Sequence, residues 1–185
     1  MSAPDQTSTL PPSPRWPHWV RIVLFGRNWK FTLARLVVLV VACFVIFRFV
    51  LLPVRVEGIS MLPTYQNGSV NFVNRLAYPW HGPQRGDVVG IRLSDPSIMW
   101  PSVMYLKRVI GLPGETVAFV NGTVLINGKP LAESYEKNQD CDWNLPLVKL
   151  GPSQYFVVGD NRSMPSQYHE FGRVPRDHII GKAVL

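Results

Sequence analysis

A long apolar stretch near the amino end most constrains how this chain can fold. The segment LVVLVVACFVIFRFVLLPV begins at Leu36 and carries one charge, Arg48, near its far end. A helix needs about 20 apolar residues to cross a bilayer, and a long arginine side chain near the end of such a helix can reach the lipid headgroups. The apolar residues cover all faces rather than one stripe, which disfavours a buried helix of a soluble core. We therefore expect a transmembrane helix over residues 31–53.

The residues after this stretch favour a retained anchor over a cleaved signal peptide. A signal peptide has a shorter apolar region followed by small residues at its cleavage site. Here Pro53, Val54 and Arg55 follow instead. We therefore expect the helix to remain part of the working protein.

The charge distribution predicts the orientation of the anchor. Of the net charge of +7, residues 1–53 contribute +5 and residues 54–185 only +2. Positively charged flanks stay in the cytoplasm, so residues 1–30 are expected to form a cytoplasmic basic tail with an interfacial segment. Residues 54–185 are then expected to form an extracytoplasmic domain at the inner membrane. A nucleic-acid-binding domain would cluster its basic residues on the folded part, so this distribution excludes nucleic acid as a partner.

Residues 54–185 have the pattern of an all-β domain. Short apolar runs alternate with turn residues throughout this part, as in VRVEG, GDVVGIRL and QYFVVGDN. Two Asn-Gly pairs, at residues 121–122 and 127–128, are strong hairpin signals. The four histidines and two cysteines lack the spacing of a zinc site. We therefore expect no metal or cofactor.

The run MYLKRVI contains the least expected residue for a strand, Lys107. Neighbouring strand residues point to opposite faces, so either Lys107 or Arg108 is expected to face inward. Burial disfavours the charged form of a lysine and lowers its pKa, and a neutral amine can take a proton from a serine. A Ser–Lys pair is one interpretation. A surface lysine beside a surface arginine is the other, and the residue types alone leave both open.

Four sequence boxes resolve this choice through a resemblance. GISMLPT at residues 58–64, RGDVV at 85–89, YLKRVIGLPGE at 105–115 and VVGDNR at 157–162 occur in this order after a membrane segment. This arrangement resembles the type I signal peptidases, the membrane-bound Ser–Lys endopeptidases. The resemblance covers residues 54–185 and the preceding anchor. It implies an all-β fold, with a coiled, barrel-like catalytic core and a small β insertion between Lys107 and Gly159.

The resemblance also implies roles for individual residues. Ser60 is the expected nucleophile and Lys107 its general base, while the Ser60 N–H stabilises the oxyanion. Gly58 is expected in the turn that exposes Ser60. Some family members carry a second, hydroxyl donor at that position, so a second donor must come from elsewhere. Structural support is the expected role of three residues in the last box: Asp160, Asn161 and Arg162.

The last box departs from the family pattern. Pro165 stands where the family has the serine that orients the lysine, and the residues Gln167, Tyr168 and His169 replace an Asp-Ser-Arg run. Ser166 is the first candidate to orient Lys107, and Ser163 is the second. The usual Asp–Arg pair is expected to be absent.

The family implies removal of signal peptides from exported precursor proteins, by a monomer that contacts membrane lipid and needs no cofactor. A maturation peptidase of the same family, dedicated to one pilin or secretion system, is an alternative. A self-cleaving Ser–Lys repressor would need a DNA-binding head, and the amino end offers an anchor instead. A membrane scaffold that has lost its activity through the altered box is the remaining alternative.

Overall fold

The structure, a computed structural model, describes residues 29–92, 104–135, 141–169 and 172–184. The chain divides into two compact units, Met1–Phe44 and Val45–Leu185. The proposed cytoplasmic tail, with most of its basic residues, falls outside the described residues.

The apolar stretch forms a helix without any buried residue. Helix α1 spans Trp29–Val45 and continues as a π-helical turn over Ile46–Val50. Together they give 22 residues, and in the described part of the chain this is the one helix long and apolar enough to cross a membrane. Residues 51–53, which the sequence assigned to the end of the span, instead begin the first strand.

The second unit is all-β, as the sequence predicts. Its eleven described strands are β1 (Leu51–Arg55), β2 (Val70–Asn74), β3 (Val88–Arg92), β4 (Met104–Gly111), β5 (Thr116–Val120), β6 (Thr123–Ile126), β7 (Lys129–Pro130), β8 (Leu145–Lys149), β9 (Gln154–Val158), β10 (Gly172–Pro175) and β11 (Ile179–Val184). Seven form one sheet in the order β1-β2-β11-β3-β4-β9-β10, and the other four form a second sheet in the order β7-β6-β5-β8. All the described pairings are antiparallel.

The second sheet is the small β insertion that the resemblance implied. It occupies residues 116–149, between β4 and β9. Both Asn-Gly pairs form its hairpin turns: Asn121 and Asn127 have φ of 46° and 50°, and the glycines that follow also have positive φ. Such φ values at both turn residues match the twist of the flanking strands, which explains why this signal locates the hairpins.

The centre of the large sheet is covered on both faces. Four of the five residues of β3 and the last six of β4 are buried. One apolar cluster includes Val88 and Leu106, and another includes Val89 and Val109. A third cluster packs the second sheet against the first around Phe119. Strand β4 therefore passes through the interior, which is where its lysine and arginine must be accommodated.

Candidate active site

The turn after β1 presents Ser60. The turn closes where Val56 N–H donates to the Ser69 carbonyl at 2.9 Å and Gly68 N–H donates to the Val56 carbonyl at 2.8 Å. Gly58 has a φ of +99°, which an L side chain rarely adopts, and its N–H donates to Asn67 Oδ1 at 3.0 Å. The Gly58 amide is therefore engaged within the turn. The described hydrogen bonds include none donated by the Ser60 N–H.

Strand β4 brings Lys107 to this serine. Lys107 pairs across the ladder with Val89 of β3 and is 3% exposed. Its Nζ lies 2.8 Å from Ser60 Oγ, a hydrogen-bond distance, and 5.9 Å from the centre of the Tyr105 ring. The structure thus joins two residues that are 47 positions apart in the sequence.

Arg108 is buried as well, so the expectation that only one of the two basic residues faces inward is wrong. Arg108 is 8% exposed. Its guanidinium donates to both carboxylate oxygens of Asp160, with Nε 2.7 Å from Oδ1, and Nη1 donates to the Gly86 carbonyl. Alternation along a strand separates an inner from an outer face only when one face meets solvent, and β4 is covered on both.

Residues after β9 hold the serine turn. Thr64 Oγ1 donates to Asp160 Oδ2 at 2.5 Å. Asn161 donates twice, from its backbone N–H to the Ser60 carbonyl at 3.0 Å and from Nδ2 to the Ile59 carbonyl at 3.1 Å. These contacts fit the supporting roles expected for Asp160 and Asn161.

Arg162 connects this region to the segment before β8. Its side chain is fully buried. Nε donates to the Gly159 carbonyl at 2.9 Å, while Nη1 and Nη2 donate to the two oxygens of Glu133 at 3.0 and 2.6 Å. Tyr135 Oη also donates to Glu133, and the Arg108 guanidinium lies 4.0 Å from the centre of the Tyr135 ring. The segment around Glu133 therefore joins both buried arginines.

The two serines proposed to orient Lys107 lie in the altered box. Ser163 is exposed, and its hydroxyl donates to Asn161 Oδ1 at 2.7 Å. Ser166 begins a short 3-10 turn, Ser166–Tyr168, and is also exposed. Whether Ser166 orients the amine stays a prediction, with loss of turnover in Ser166→Ala as its test.

His169, which the sequence placed among substituted positions without a role, is buried beside the site. It is 4% exposed, and its Nε2 accepts a hydrogen bond from the Gly159 N–H at 2.7 Å. Burial is the main cause that lowers the pKa of His169 from 6.5 to about 3, and the positive charges of Lys107, when its amine is protonated, and of Arg162 add to it. The imidazole is therefore neutral across the ordinary pH range.

Sequence reasoning missed several residues that build the site. Thr64 lies inside the GISMLPT box, so its position was a usable signal. Trp143 and Glu133 lie outside the four sequence boxes, and nothing in their spacing connects them to the last box. Among the described residues, no cluster of His, Cys, Asp and Glu could hold a metal ion.

Comparisons with known proteins support the resemblance. The family described as Signal peptidase, peptidase S26, matches residues 29–185. The chain is 39% identical to signal peptidase I of Leptolyngbya laminosa over 68% of this chain and 63% of that protein. It is 35% identical to probable signal peptidase I-1 of Synechocystis sp. over 85% of this chain and 83% of that protein. A signal peptidase I from Enterococcus faecalis, known from a crystal structure, is 30% identical in sequence to this chain. The match covers 54% of this chain and 95% of that chain, and its TM-score of 0.42 establishes no shared fold.

Removal of Arg108 should destabilise the protein. Arg108→Ala leaves Asp160 as a buried carboxylate without its ion-pair partner, which costs about 3–5 kcal/mol. Lys182→Ala is the matched control, because Lys182 pairs with Asp87 but is 49% exposed, and such pairs contribute up to about 1 kcal/mol. Denaturant unfolding of the two variants measures the difference, and equal losses would contradict a structural role for the buried pair.

The neutral His169 predicts a loss of stability in acid. Because its folded pKa lies below the unfolded value, its contribution is fully present above pH 6.5 and is lost as pH falls toward 3. Arg162, and Lys107 when its amine is protonated, are the charged groups that oppose protonation of His169. Between pH 7 and pH 4 the wild type should lose up to about 3 kcal/mol through this group. His169→Gln should lose less stability over that interval, and parallel curves would show that His169 does not titrate as described.

Proposed function

The chain belongs to the type I signal peptidase family, and from this membership and its Ser60–Lys107 pair we propose that it is a membrane-anchored serine endopeptidase. Its substrates are exported precursor proteins, from which it removes the signal peptide. The observation that carries this proposal is the 2.8 Å separation of Ser60 Oγ from the Nζ of a lysine that is 3% exposed. A surface lysine would stay charged and could not accept a proton.

Acylation begins when Ser60 Oγ attacks the carbonyl carbon of the scissile peptide bond. The proton of the hydroxyl moves to the neutral amine of Lys107 as the Oγ–C bond forms. Desolvation favours the neutral amine before attack. The tetrahedral intermediate then breaks its C–N bond, and the protonated lysine returns its proton to the leaving amine. The signal peptide remains as an ester on Ser60, and the mature protein leaves.

Deacylation uses the same two groups. A water molecule loses a proton to Lys107 as its oxygen attacks the ester carbon. The Oγ–C bond breaks, Ser60 Oγ regains the proton, and the signal peptide leaves with a free carboxylate. One lysine therefore acts as base and acid in both half-reactions.

The backbone N–H of Ser60 is the proposed oxyanion donor, since the turn leaves it without a described partner. Loss of one such donor costs about 3–4 kcal/mol of transition-state stabilisation. Gly58 N–H is not a candidate for the second donor, because Asn67 engages it. The family resemblance also implies selectivity for small residues before the cleaved bond.

The geometry favours an enzyme over a membrane scaffold. A scaffold would have no need to bury a lysine against a serine, because burial of an amine costs free energy and buried titratable groups in such a setting are typical of functional sites. The altered box leaves the Ser60–Lys107 distance short. A dedicated maturation peptidase would share this site, and a panel of precursors, including pilin-like ones, would separate it from a general signal peptidase.

The dyad predicts that Lys107→Arg is inactive although arginine is also a basic residue. A guanidinium does not lose its proton in proteins, so cleavage of a precursor should fall roughly 10⁴-fold or more, as in Ser60→Ala. Lys182→Arg, a change at an exposed lysine, should retain activity. An active Lys107→Arg enzyme would show that another group is the base.

The anchor predicts an extracytoplasmic catalytic unit. Protease added to intact spheroplasts should digest residues 54–185, because the basic flank holds the amino end in the cytoplasm. A cytoplasmic marker protein should remain intact in the same sample. Digestion of this part only after permeabilisation would reverse the proposed topology.

A further inference from the structure

The peptide of Ser60 is held by residues 159–161 at a junction with little free space. The Ser60 carbonyl accepts the Asn161 N–H at 3.0 Å. A Cβ atom added to Gly159 would overlap both the Ser60 carbonyl oxygen and the His169 ring. Gly159 therefore packs between the Ser60 carbonyl and the His169 ring. We expect a shift of Gly159 to displace Ser60.

The imidazole fixes Gly159 from the opposite side. His169 Nε2 accepts the Gly159 N–H at 2.7 Å, inside the protein. Only an unprotonated Nε2 has the lone pair that this contact needs. The lowered pKa of His169, about 3, keeps that lone pair available at every pH at which the enzyme would be assayed.

Trp143 in turn fixes the imidazole. The two rings meet edge to face with their centres 4.7 Å apart, and Trp143 is 3% exposed. Its Nε1–H donates to the Met164 carbonyl at 2.9 Å. That carbonyl directly precedes Pro165, one of the residues that depart from the family pattern. Trp143 therefore contacts both the altered box, through the Met164 carbonyl, and the imidazole of His169.

We propose that Trp143 and His169 are positioning residues for the nucleophile: Trp143 orients the imidazole, the imidazole holds the Gly159 N–H, and Gly159 sets the Ser60 peptide and its oxyanion donor. This proposal rests on the proposed peptidase function. Neither side chain is required to touch the substrate. The effect should therefore fall on turnover rather than on substrate binding, because misplacement of the reacting groups by a fraction of an ångström slows the chemical step.

The test uses the full chain in detergent with a signal-peptide-bearing precursor. His169→Leu removes the acceptor, and kcat should fall about 10- to 100-fold while KM stays within about twofold. His169→Gln returns an acceptor at a similar reach and should recover most of kcat. Trp143→Phe keeps a ring but loses the N–H, and kcat should fall about 2- to 10-fold. His81→Leu and Trp80→Phe are matched controls at exposed positions and should be unchanged.

Amide hydrogen exchange of Gly159 provides a readout that needs no substrate. Exchange should be faster in His169→Leu than in the wild type and should be restored in His169→Gln. If His169→Leu does not fold, kcat and Gly159 exchange in His169→Gln and Trp143→Phe still test the positioning role.

Wild-type kcat in folded His169→Leu, or equal losses in the Leu and Gln variants, would overturn the positioning role. A wild-type protein that cleaves no precursor would instead refute the proposed function. Gly159 exchange then tests the geometric part separately, and unchanged exchange in His169→Leu would refute it.

Discussion

The buried ion pair between Arg108 and Asp160 is the interaction on which the site depends. Asp160 accepts hydrogen bonds from the Arg108 guanidinium and from Thr64 Oγ1. One carboxylate therefore joins strand β4, the turn after β9 and the serine turn. Because an unpaired charge in this environment costs several kcal/mol, the three segments are held in one arrangement. The short distance from Ser60 to Lys107 follows, since each residue lies on a segment that this carboxylate fixes.

Lys107 and Arg108, two neighbouring basic residues of β4, lie in different electrostatic environments. Arg108 is charged, and its guanidinium pairs with the Asp160 carboxylate. Lys107 is 3% exposed and its Nζ lies 2.8 Å from the Ser60 hydroxyl, and burial disfavours the charged form of an amine. Both side chains can be buried because both faces of β4 are covered, so each side chain enters a different interior environment. Exchange of the two residue types would be incompatible with the proposed mechanism, since arginine cannot serve as the base.

The altered last box contacts the site through Trp143 and His169. Pro165 supplies no hydroxyl and no N–H. The carbonyl of Met164, just before Pro165, accepts a hydrogen bond from the Trp143 indole N–H, and His169 Nε2 accepts one from the Gly159 amide. Trp143 belongs to the segment between β7 and β8, so the second sheet takes part in building the site. This role for the insertion would give it a function in catalysis as well as in packing.

The sequence by itself determined the parts that local patterns encode. The apolar stretch determined the candidate membrane helix, because hydrophobic length is a property of consecutive residues. The Asn-Gly pairs determined the hairpins, because a turn's backbone geometry depends on its own residues. The ordered boxes indicated Ser60 and Lys107. Only the tertiary structure decided that Lys107 and Arg108 are both buried and that Trp143 meets His169. Those facts depend on which strands cover β4 and on contacts between residues more than 20 positions apart, and no local pattern specifies which distant segments will meet.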